Sequence, residues 1–250
     1  ISPYYHDYSV EEYMYFGGDT KGFISNNKIY IDGVPNITKP KEKSIYNLRN
    51  VFSGVQYVQG GTNLNIVDND GNVYEGINNK ITSVSDIKQI TSSNTARFLI
   101  GNNGQLYAKG NAYLWGNESN KSDYTKVTKD GTEEFNNVDK IFAVNKGYGL
   151  IFTTTNNEIY WAGITSYVAL PGIQGDKYIT GQGNATNYAK KVENELLNSI
   201  VDKIKDIKFS YINEAGINGI NTLVLTDDGK LYSYSTNSNM TGVGTTNDFT

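Results

Sequence analysis

The stretch that decides the fold is "LTDDGKLYSYSTNSNMTGVGTTND", residues 225–248. Its pattern predicts a strand, a tight turn at 227–229, a second strand through Leu231 and Tyr232, and then a long polar loop. A glycine at a hairpin tip adopts the positive φ that such a turn needs, which gives the turn a physical basis. Whether this hairpin occurs once or is one copy of a repeating unit decides the fold of the whole chain.

The pattern of a turn, an aliphatic residue and a tyrosine occurs five times, ending at Tyr30, Tyr74, Tyr107, Tyr160 and Tyr232. Upstream of each copy stands a pair of aliphatic or aromatic residues three positions apart. These pairs are Val10/Tyr13, Leu48/Val51, Ile87/Ile90, Val138/Ile141 and Ile204/Ile207. Each pair precedes its tyrosine by 17 to 25 residues, whereas the distance from a tyrosine to the next pair varies far more. Such fixed hairpins with variable connections are typical of an array whose units pack only on their neighbours.

Four of the units also contain a nearly continuous apolar run between the pair and the turn, at 64–67, 97–100, 149–152 and 222–225. A strand that is covered on both faces has this composition. We therefore predict an all-β fold, a β-propeller with about five recognisable blades. Residues 1–250 would form a single propeller domain or most of one, with repeat units at about 10–47, 48–86, 87–137, 138–203 and 204–250. A β-sandwich also has short, regularly spaced strands, but it does not require the same motif five times.

One segment departs from the β pattern. Within 184–203, Tyr188, Val192, Leu196 and Ile200 recur at every fourth position, which predicts an inserted helix. We expect it to pack on the rim of the propeller; the alternative is that its face docks a partner.

The fifth unit is expected to lead into further blades. Closure hides the strand edges of a propeller, and five units could close only if the first residues returned to the last blade. Since Val10 and Tyr13 already serve the first unit, we expect about two more blades. These would make a ring of about seven and would be supplied by a longer parent protein or by another chain.

Residues 86–111 and 225–248 resemble the repeat of the regulator of chromosome condensation family. The matching positions are Thr226, Asp228, Gly229, Leu231 and Tyr232 in the hairpin and Gly242, Gly244, Thr245 and Asp248 in the loop. Tyr234 stands where the family usually has tryptophan, and the family's histidine has no counterpart, because His6 lies elsewhere. The resemblance implies a propeller of a divergent bacterial or phage type. It does not imply nucleotide exchange, because the loops that serve the founding member are not reproduced.

Composition restricts the partners and the chemistry. The net charge is −4 and the basic residues are scattered, which disfavours a nucleic-acid partner. The chain has no cysteine and one histidine, so a thiolate or His-rich metal site is excluded. No apolar run approaches the roughly 18 residues of a membrane helix, and no membrane insertion is expected.

Three motifs that could carry chemistry have simpler explanations. "DNDGN" at 68–72 resembles the start of a calcium loop, but its twelfth position is Asn79, whose amide leaves the ligand set incomplete. "GQG" at 181–183 lacks the Lys-Ser or Lys-Thr of a phosphate loop and the third glycine of a dinucleotide motif. Adjacent acids at 11–12 and 133–134 point to opposite faces of a strand. We therefore predict a protein that is not an enzyme, with no cofactor and no metal site.

Aromatic clusters are the candidate binding residues. They are Tyr4, Tyr5 and Tyr8 near the start, and Tyr113, Trp115 and Tyr124 in a polar loop. Tyrosine gives a large contact area at a low entropy cost, and rings flanked by Asn and Ser suit stacking on a sugar. The alternatives are an edge strand of the first blade for the first cluster and core packing for Trp115.

Two functions remain open. The first is a non-catalytic binding module that recognises a protein or a cell-surface glycan, as an extracellular surface adhesin or as a receptor-binding or baseplate component of a phage tail or bacteriocin. It would act at a cell surface or in a virion, and other chains of a larger assembly are further candidate partners. The alternative is an intracellular regulatory propeller, a scaffold of the exchange-factor type.

Overall fold

The computed structural model of the chain describes residues 12–17, 20–25, 28–32, 41–43, 48–58, 61–68, 70–75, 79–93, 95–116, 120–144, 149–164, 168–173, 186–214, 217–235 and 249. Side chains are described from Val67 onward within these ranges, except at 68, 210–214 and 217–220. No helix in these ranges is long and apolar enough to cross a membrane.

Five antiparallel sheets follow one another along the chain. The first contains β1 (Glu12–Gly17), β2 (Thr20–Ser25), β3 (Lys28–Asp32) and β4 (Lys41–Lys43). The second contains β5 (Leu48–Val58), β6 (Gly61–Asp68), β7 (Val73–Glu75) and β8 (Asn79–Ile81). The third contains β9 (Ile87–Ser92), β10 (Ala96–Gly101), β11 (Leu106–Gly110) and β12 (Lys121–Lys126).

The fourth sheet contains β13 (Val138–Ala143), β14 (Gly149–Thr154), β15 (Ile159–Gly163) and β16 (Lys190–Lys191). The fifth contains β17 (Ile204–Glu214), β18 (Ile217–Thr226) and β19 (Leu231–Ser235). In every sheet the strands pair in chain order. The first strands of consecutive sheets contact each other, β1 with β5, β5 with β9, β9 with β13 and β13 with β17. This is the arrangement of propeller blades around an axis, and it confirms the predicted all-β fold with five blades. The limits of the units and of the domain stay a prediction.

The first strand of four sheets begins at the first residue of a predicted aliphatic pair, and each carries a β-bulge. The ladder skips one residue between the pair members, at Arg49, Lys88, Asp139 and Lys205. Residues three apart on a regular strand point to opposite faces. The extra residue of the bulge turns the second member of the pair back to the face of the first. Both members of each described pair are consequently buried in the same core.

The hydrophobic cores lie between neighbouring blades. On β10, Leu99 belongs to the core shared with the second sheet, whereas Phe98 and Ile100 belong to the core shared with the fourth. On β14, Leu150 and Phe152 face the third sheet. Each fully buried side chain of this size contributes roughly 1.5–3 kcal/mol to the free energy of unfolding. Burial on both faces explains why the second strands are continuously apolar in sequence.

The hairpin tips of the second and third sheets join these blades to the ones that follow. The carbonyl oxygen of Gly71 accepts a hydrogen bond from the N–H of Ile87 at 3.0 Å, and that of Gly104 accepts one from Val138 at 2.9 Å. A Cβ atom on Gly104 would stand 2.6 Å from the carbonyl oxygen of Asn136, and Gly104 has a φ of +81°. Glycine is therefore required at this tip both for its backbone conformation and for the close approach of the following blade.

The predicted inserted helix is confirmed as one short helix, but its predicted extent over 184–203 is wrong for the described residues. Helix α1 covers only Glu195–Ile200 and continues as a 3-10 turn at Val201–Lys203. Lys190 and Lys191 pair with Trp161 and Tyr160 as strand β16. Residues four positions apart lie on one side of a strand as well as on one side of a helix. The apolar residues at every fourth position therefore did not distinguish a helix from a strand. The side chain of Asn194 caps α1 by accepting a hydrogen bond from the N–H of Leu197 at 2.9 Å.

Replacing the tip glycines should separate the two requirements. Gly229 has a φ of +80° and nothing within 4 Å of a built Cβ. We expect Gly229→Ala to cost about 1 kcal/mol, from the left-handed backbone alone. Gly104→Ala should cost about 2 kcal/mol more, because the backbone at Asn136 must also move. Urea unfolding measures both, and equal costs would contradict the role of the close approach.

The capping bond of α1 predicts a second stability difference. Asn194→Ala should lower the free energy of unfolding by about 1 kcal/mol, whereas Asn194→Asp keeps an acceptor for the same N–H and should cost far less. Thermal or urea unfolding followed by circular dichroism provides the comparison. If the two variants are equally unstable, the cap does not contribute as described.

Candidate protein-binding face

Seven loop segments of the described chain lie at one end of the blades. They are the hairpin tips 70–72, 102–105, 155–158 and 227–230 and the connections 82–86, 127–137 and 192–203. Backbone hydrogen bonds join them, from Asn102 N–H to the carbonyl oxygen of Asp86 at 2.8 Å and from Asp227 N–H to that of Lys203 at 2.9 Å. The fourth-sheet tip is joined in the same way, from Thr155 N–H to Asn137 at 2.8 Å. These seven segments are called the acidic face below.

The acidic face concentrates the negative charge of the protein. It holds eleven of the 26 acidic residues but only three of the 22 basic ones, which is an excess of eight negative charges against a net charge of −4 for the whole chain. Two further lysines, Lys126 and Lys191, border the face and reduce the excess to six. The rest of the chain is therefore slightly basic, and the charge is segregated.

Many of these acids are exposed to solvent. Glu133, Glu193, Glu195, Asp202 and Asp227 are all exposed. They come from three separate stretches of sequence, and the folding of the blades brings these stretches to one end. A surface with one sign of charge raises the local concentration of oppositely charged partners and accelerates their association.

Local hydrogen bonds keep several of the face's carboxylates charged. A hydrogen bond from Lys191 to Glu158, at 2.6 Å, lowers the pKa of the Glu158 carboxyl. Hydrogen bonds from Thr226 and from Thr132 lower the pKa of Asp228 and of Asp130 in the same way. The carboxyl groups of these three residues are therefore negatively charged at neutral pH.

A cleft lies along the first strands of the third, fourth and fifth sheets. It has a volume of about 350 Å³ and is lined by parts of β9, β13 and β17. Its polar groups are used to join blades. Gln89 donates to the carbonyl oxygen of Ile141 at 3.1 Å and accepts from its N–H at 3.4 Å, and Lys140 donates to the carbonyl oxygen of Ile204 at 2.5 Å. The polar groups of the cleft therefore hold neighbouring blades together.

Of the predicted binding residues, Tyr4, Tyr5 and Tyr8 lie outside the described residues. Tyr113 and Trp115 are half-buried in the loop after β11, where Trp115 Nε1 donates to the carbonyl oxygen of Gly110 at 3.3 Å. The ammonium group of Lys121 lies 5.9 Å from the Trp115 ring centroid. The loop is fastened to the fourth sheet, because Thr186 Oγ1 donates to the carbonyl oxygen of Tyr113 at 2.9 Å. A binding role for Tyr113 and Trp115 stays a prediction.

Tyr124 is buried between the second and third blades and offers no open ring surface. Its hydroxyl donates to Glu75 Oε1 at 3.4 Å, and the same oxygen lies 2.7 Å from Lys109 Nζ and 3.4 Å from Arg97 Nη1. Burial first, and then the negative charge of Glu75, raise the pKa of Tyr124 above its ordinary value of 10.0. Tyr124 thus belongs to a polar cluster that joins two blades.

The sequence interpretation overlooked the acidic face. Its acids are dispersed over 159 residues, from Asp70 to Asp228, and no single stretch is conspicuous. The signal that could have found them is their position, since nearly all stand in a hairpin tip or in the connection before an aliphatic pair. In the described part of the chain, no three His, Asp or Glu side chains are grouped so that they could hold a metal ion.

No family model matches the chain, and no curated protein matches its sequence. Three solved structures are similar to it in fold. Human WBSCR16 matches with a TM-score of 0.60 and 11% identity over 93% of this chain and 63% of its own. Yeast RCC1 (Prp20) bound to Kap60 matches with a TM-score of 0.58 and 13% identity over 93% and 57%.

The third is Prp20p from Saccharomyces cerevisiae, described with its binding properties to Gsp1p and histones. It matches with a TM-score of 0.54 and 15% identity over 93% of this chain and 60% of its own. The chain thus spans about 60% of the length of these proteins. At these identities the likeness establishes the fold alone: the chain has a β-propeller fold that is similar to part of the propellers of yeast RCC1 and human WBSCR16.

The buried Tyr124 predicts a change in alkaline stability. The folded state holds the phenolic proton more tightly than the unfolded state, so stability falls as the pH rises past about 10, where the unfolded tyrosine ionises. Tyr124→Phe should remove about 1.4 kcal/mol per pH unit from this fall and change stability little at pH 7. Urea unfolding between pH 7 and 11 measures it. A slope that changes no more than in a Tyr232→Phe control would contradict the assignment.

Proposed function

We propose that the protein is a non-catalytic protein-binding scaffold whose acidic face receives a segment rich in lysine and arginine. The observation that carries the proposal is the segregation of charge, with eleven acidic and three basic residues in the seven segments of one end. A propeller provides a rigid platform for such a surface, because the loops are held by the hydrogen-bonded tips of neighbouring blades.

The fold comparison supports proteins as the class of partner. The similar yeast structures are described with Kap60, Gsp1p and histones, all of which are proteins. Of the two functions that the sequence leaves open, these neighbours favour the regulatory propeller, and none of the three is described as a surface, phage or tail protein. Our proposal therefore adopts the scaffold of the intracellular regulatory type and includes its intracellular location.

Electrostatics specifies what the face can recognise. Phosphate groups would be repelled by an excess of six to eight negative charges, so a nucleic-acid partner is disfavoured at this end. A basic protein segment would be attracted over about 10 Å at 0.1 M salt, which is the screening length of the solution. Charge complementarity of this kind raises the association rate and selects against acidic partners.

The proposal predicts salt-sensitive binding that depends on named acids. The probe is a 20-residue peptide containing eight Lys and Arg residues, compared with a peptide in which these are Gln. We expect Glu193→Gln with Asp227→Asn to weaken binding of the basic peptide about tenfold, because each removed charge contributes about 0.5–1 kcal/mol. Fluorescence anisotropy at 50 and 200 mM salt measures the affinity.

The matched control is Asp139→Asn with Asp206→Asn, which removes the same charge from the first strands and leaves the acidic face intact. This pair should change the affinity less than twofold. Equal weakening by both pairs would show that only net charge matters, and binding of the Gln peptide with the same affinity would show that charge does not drive recognition. Either result would refute the proposed role of the face.

A further inference from the structure

Among the described residues, one end of the fifth sheet lacks the cover that the second, third and fourth sheets have. The aliphatic residue that follows the hairpin tip occupies the same place in four sheets, as Val73, Leu106, Ile159 and Leu231. The first three are completely buried, whereas Leu231 is 61% exposed. Leu231 is the one large hydrophobic side chain among the described residues that is exposed to this degree. The difference arises from packing, since all four residues have the same chemistry.

The three buried residues are covered by the connection that leads to the next sheet. Val73 shares a core with Val84 and Ile87. Leu106 donates its N–H to the carbonyl oxygen of Phe135 at 3.0 Å and accepts at 2.9 Å from Val127. The carbonyl oxygen of Ile159 accepts from the N–H of Val192 at 2.8 Å. In each case the cover is an apolar segment that runs toward the following blade.

The hairpin tips show the same contrast. A Cβ atom on Gly71 would stand 2.7 Å from the Cα of Asp86, and one on Gly104 would stand 2.6 Å from the carbonyl oxygen of Asn136. Both tips are pressed against the segment that begins the next blade. Gly229 has the same backbone conformation, with a φ of +80°, but no atom of the described residues lies within 4 Å of its built Cβ. The fifth-sheet tip thus has the backbone conformation of the packed tips, but no described residue packs on it.

We propose that Gly229 and Leu231 form a docking surface for the connection and first strand of a repeat unit that is not among the five described sheets. The same kind of surface is used by the second sheet to bind the start of the third, and by the third sheet to bind the start of the fourth. The docking surface specifies the occupant in three ways. The occupant brings its backbone against Gly229, donates an N–H to the Gly229 carbonyl oxygen as Ile87 and Val138 do to the earlier tips, and places an aliphatic side chain on Leu231.

The absence of cysteine makes the surface directly measurable. A single cysteine in Leu231→Cys should react rapidly with a maleimide, and one in Val73→Cys, which is a close match in size at a completely buried position, should react slowly. The probe for the occupant is a synthetic peptide with the sequence of residues 82–91, "TSVSDIKQIT", which forms the corresponding joint on Gly71 and Val73. At millimolar concentration it should slow the labelling of Leu231→Cys at least fivefold.

Two variants test the geometry of the joint. Adding Gly229→Ala to Leu231→Cys should abolish the protection, because a methyl group there would occupy the space of the docking backbone. A peptide carrying Val84→Ser and Ile87→Ser should protect less than twofold. Circular dichroism of each labelled variant shows whether it is folded.

Several results would overturn the proposal. If Leu231→Cys reacts as slowly as Val73→Cys without peptide, the surface is already covered by this chain. If labelling slows as the protein concentration rises without peptide, the occupant is a second copy. If the peptide gives no protection up to millimolar concentration, or protects equally with Gly229→Ala, the surface does not receive a segment of this kind.

Discussion

The β-bulge at the start of the first strand is the constraint on which the other features depend. Two aliphatic residues three positions apart cannot share a face on a regular strand, yet Ile87 and Ile90 are buried in the same core. The extra residue in the ladder reconciles the two facts. The residues that the ladder skips can also meet across neighbouring blades, since Lys88 Nζ of one bulge lies 3.7 Å from Asp139 Oδ1 of the next. One local irregularity thus fills the cores and links the blades.

The packing of each blade against the next restricts some parts of the chain more strongly than others. Tips and first strands are restricted by close backbone approach, as the glycine at 104 shows. The connections are restricted only where they cover the aliphatic residue after a tip, so their remaining positions can vary in length and charge. Seven of the eleven acidic residues of the face lie in these connections, and the other four lie in the hairpin tips. The connections can therefore carry negative charge without disturbing the hydrophobic cores between the blades.

Much of the fold could be predicted from the sequence, because the residues that recur in each repeat are buried aliphatic residues. The pairs beginning at Leu48, Ile87, Val138 and Ile204 mark the first residues of four strands. The helix was overextended because Val192 satisfies a period of four in an extended segment as well as in a helix. The face was missed because its charges are adjacent only after folding. The burial of Tyr124 and its contact with Glu75, 49 residues away, could not be predicted because neither is visible from its local sequence.

The tip of the fourth sheet is occupied by Asn157 rather than glycine, with a φ of 59°. Asparagine tolerates this conformation although it keeps its Cβ. An added Cβ at Gly71 or Gly104 would stand less than 3 Å from the segment that begins the next blade, whereas the fourth-sheet tip already carries a side chain at the corresponding position. The packing of one blade on the next therefore does not require glycine at every tip, and the fourth-sheet tip is the place where a side chain is compatible with the ring.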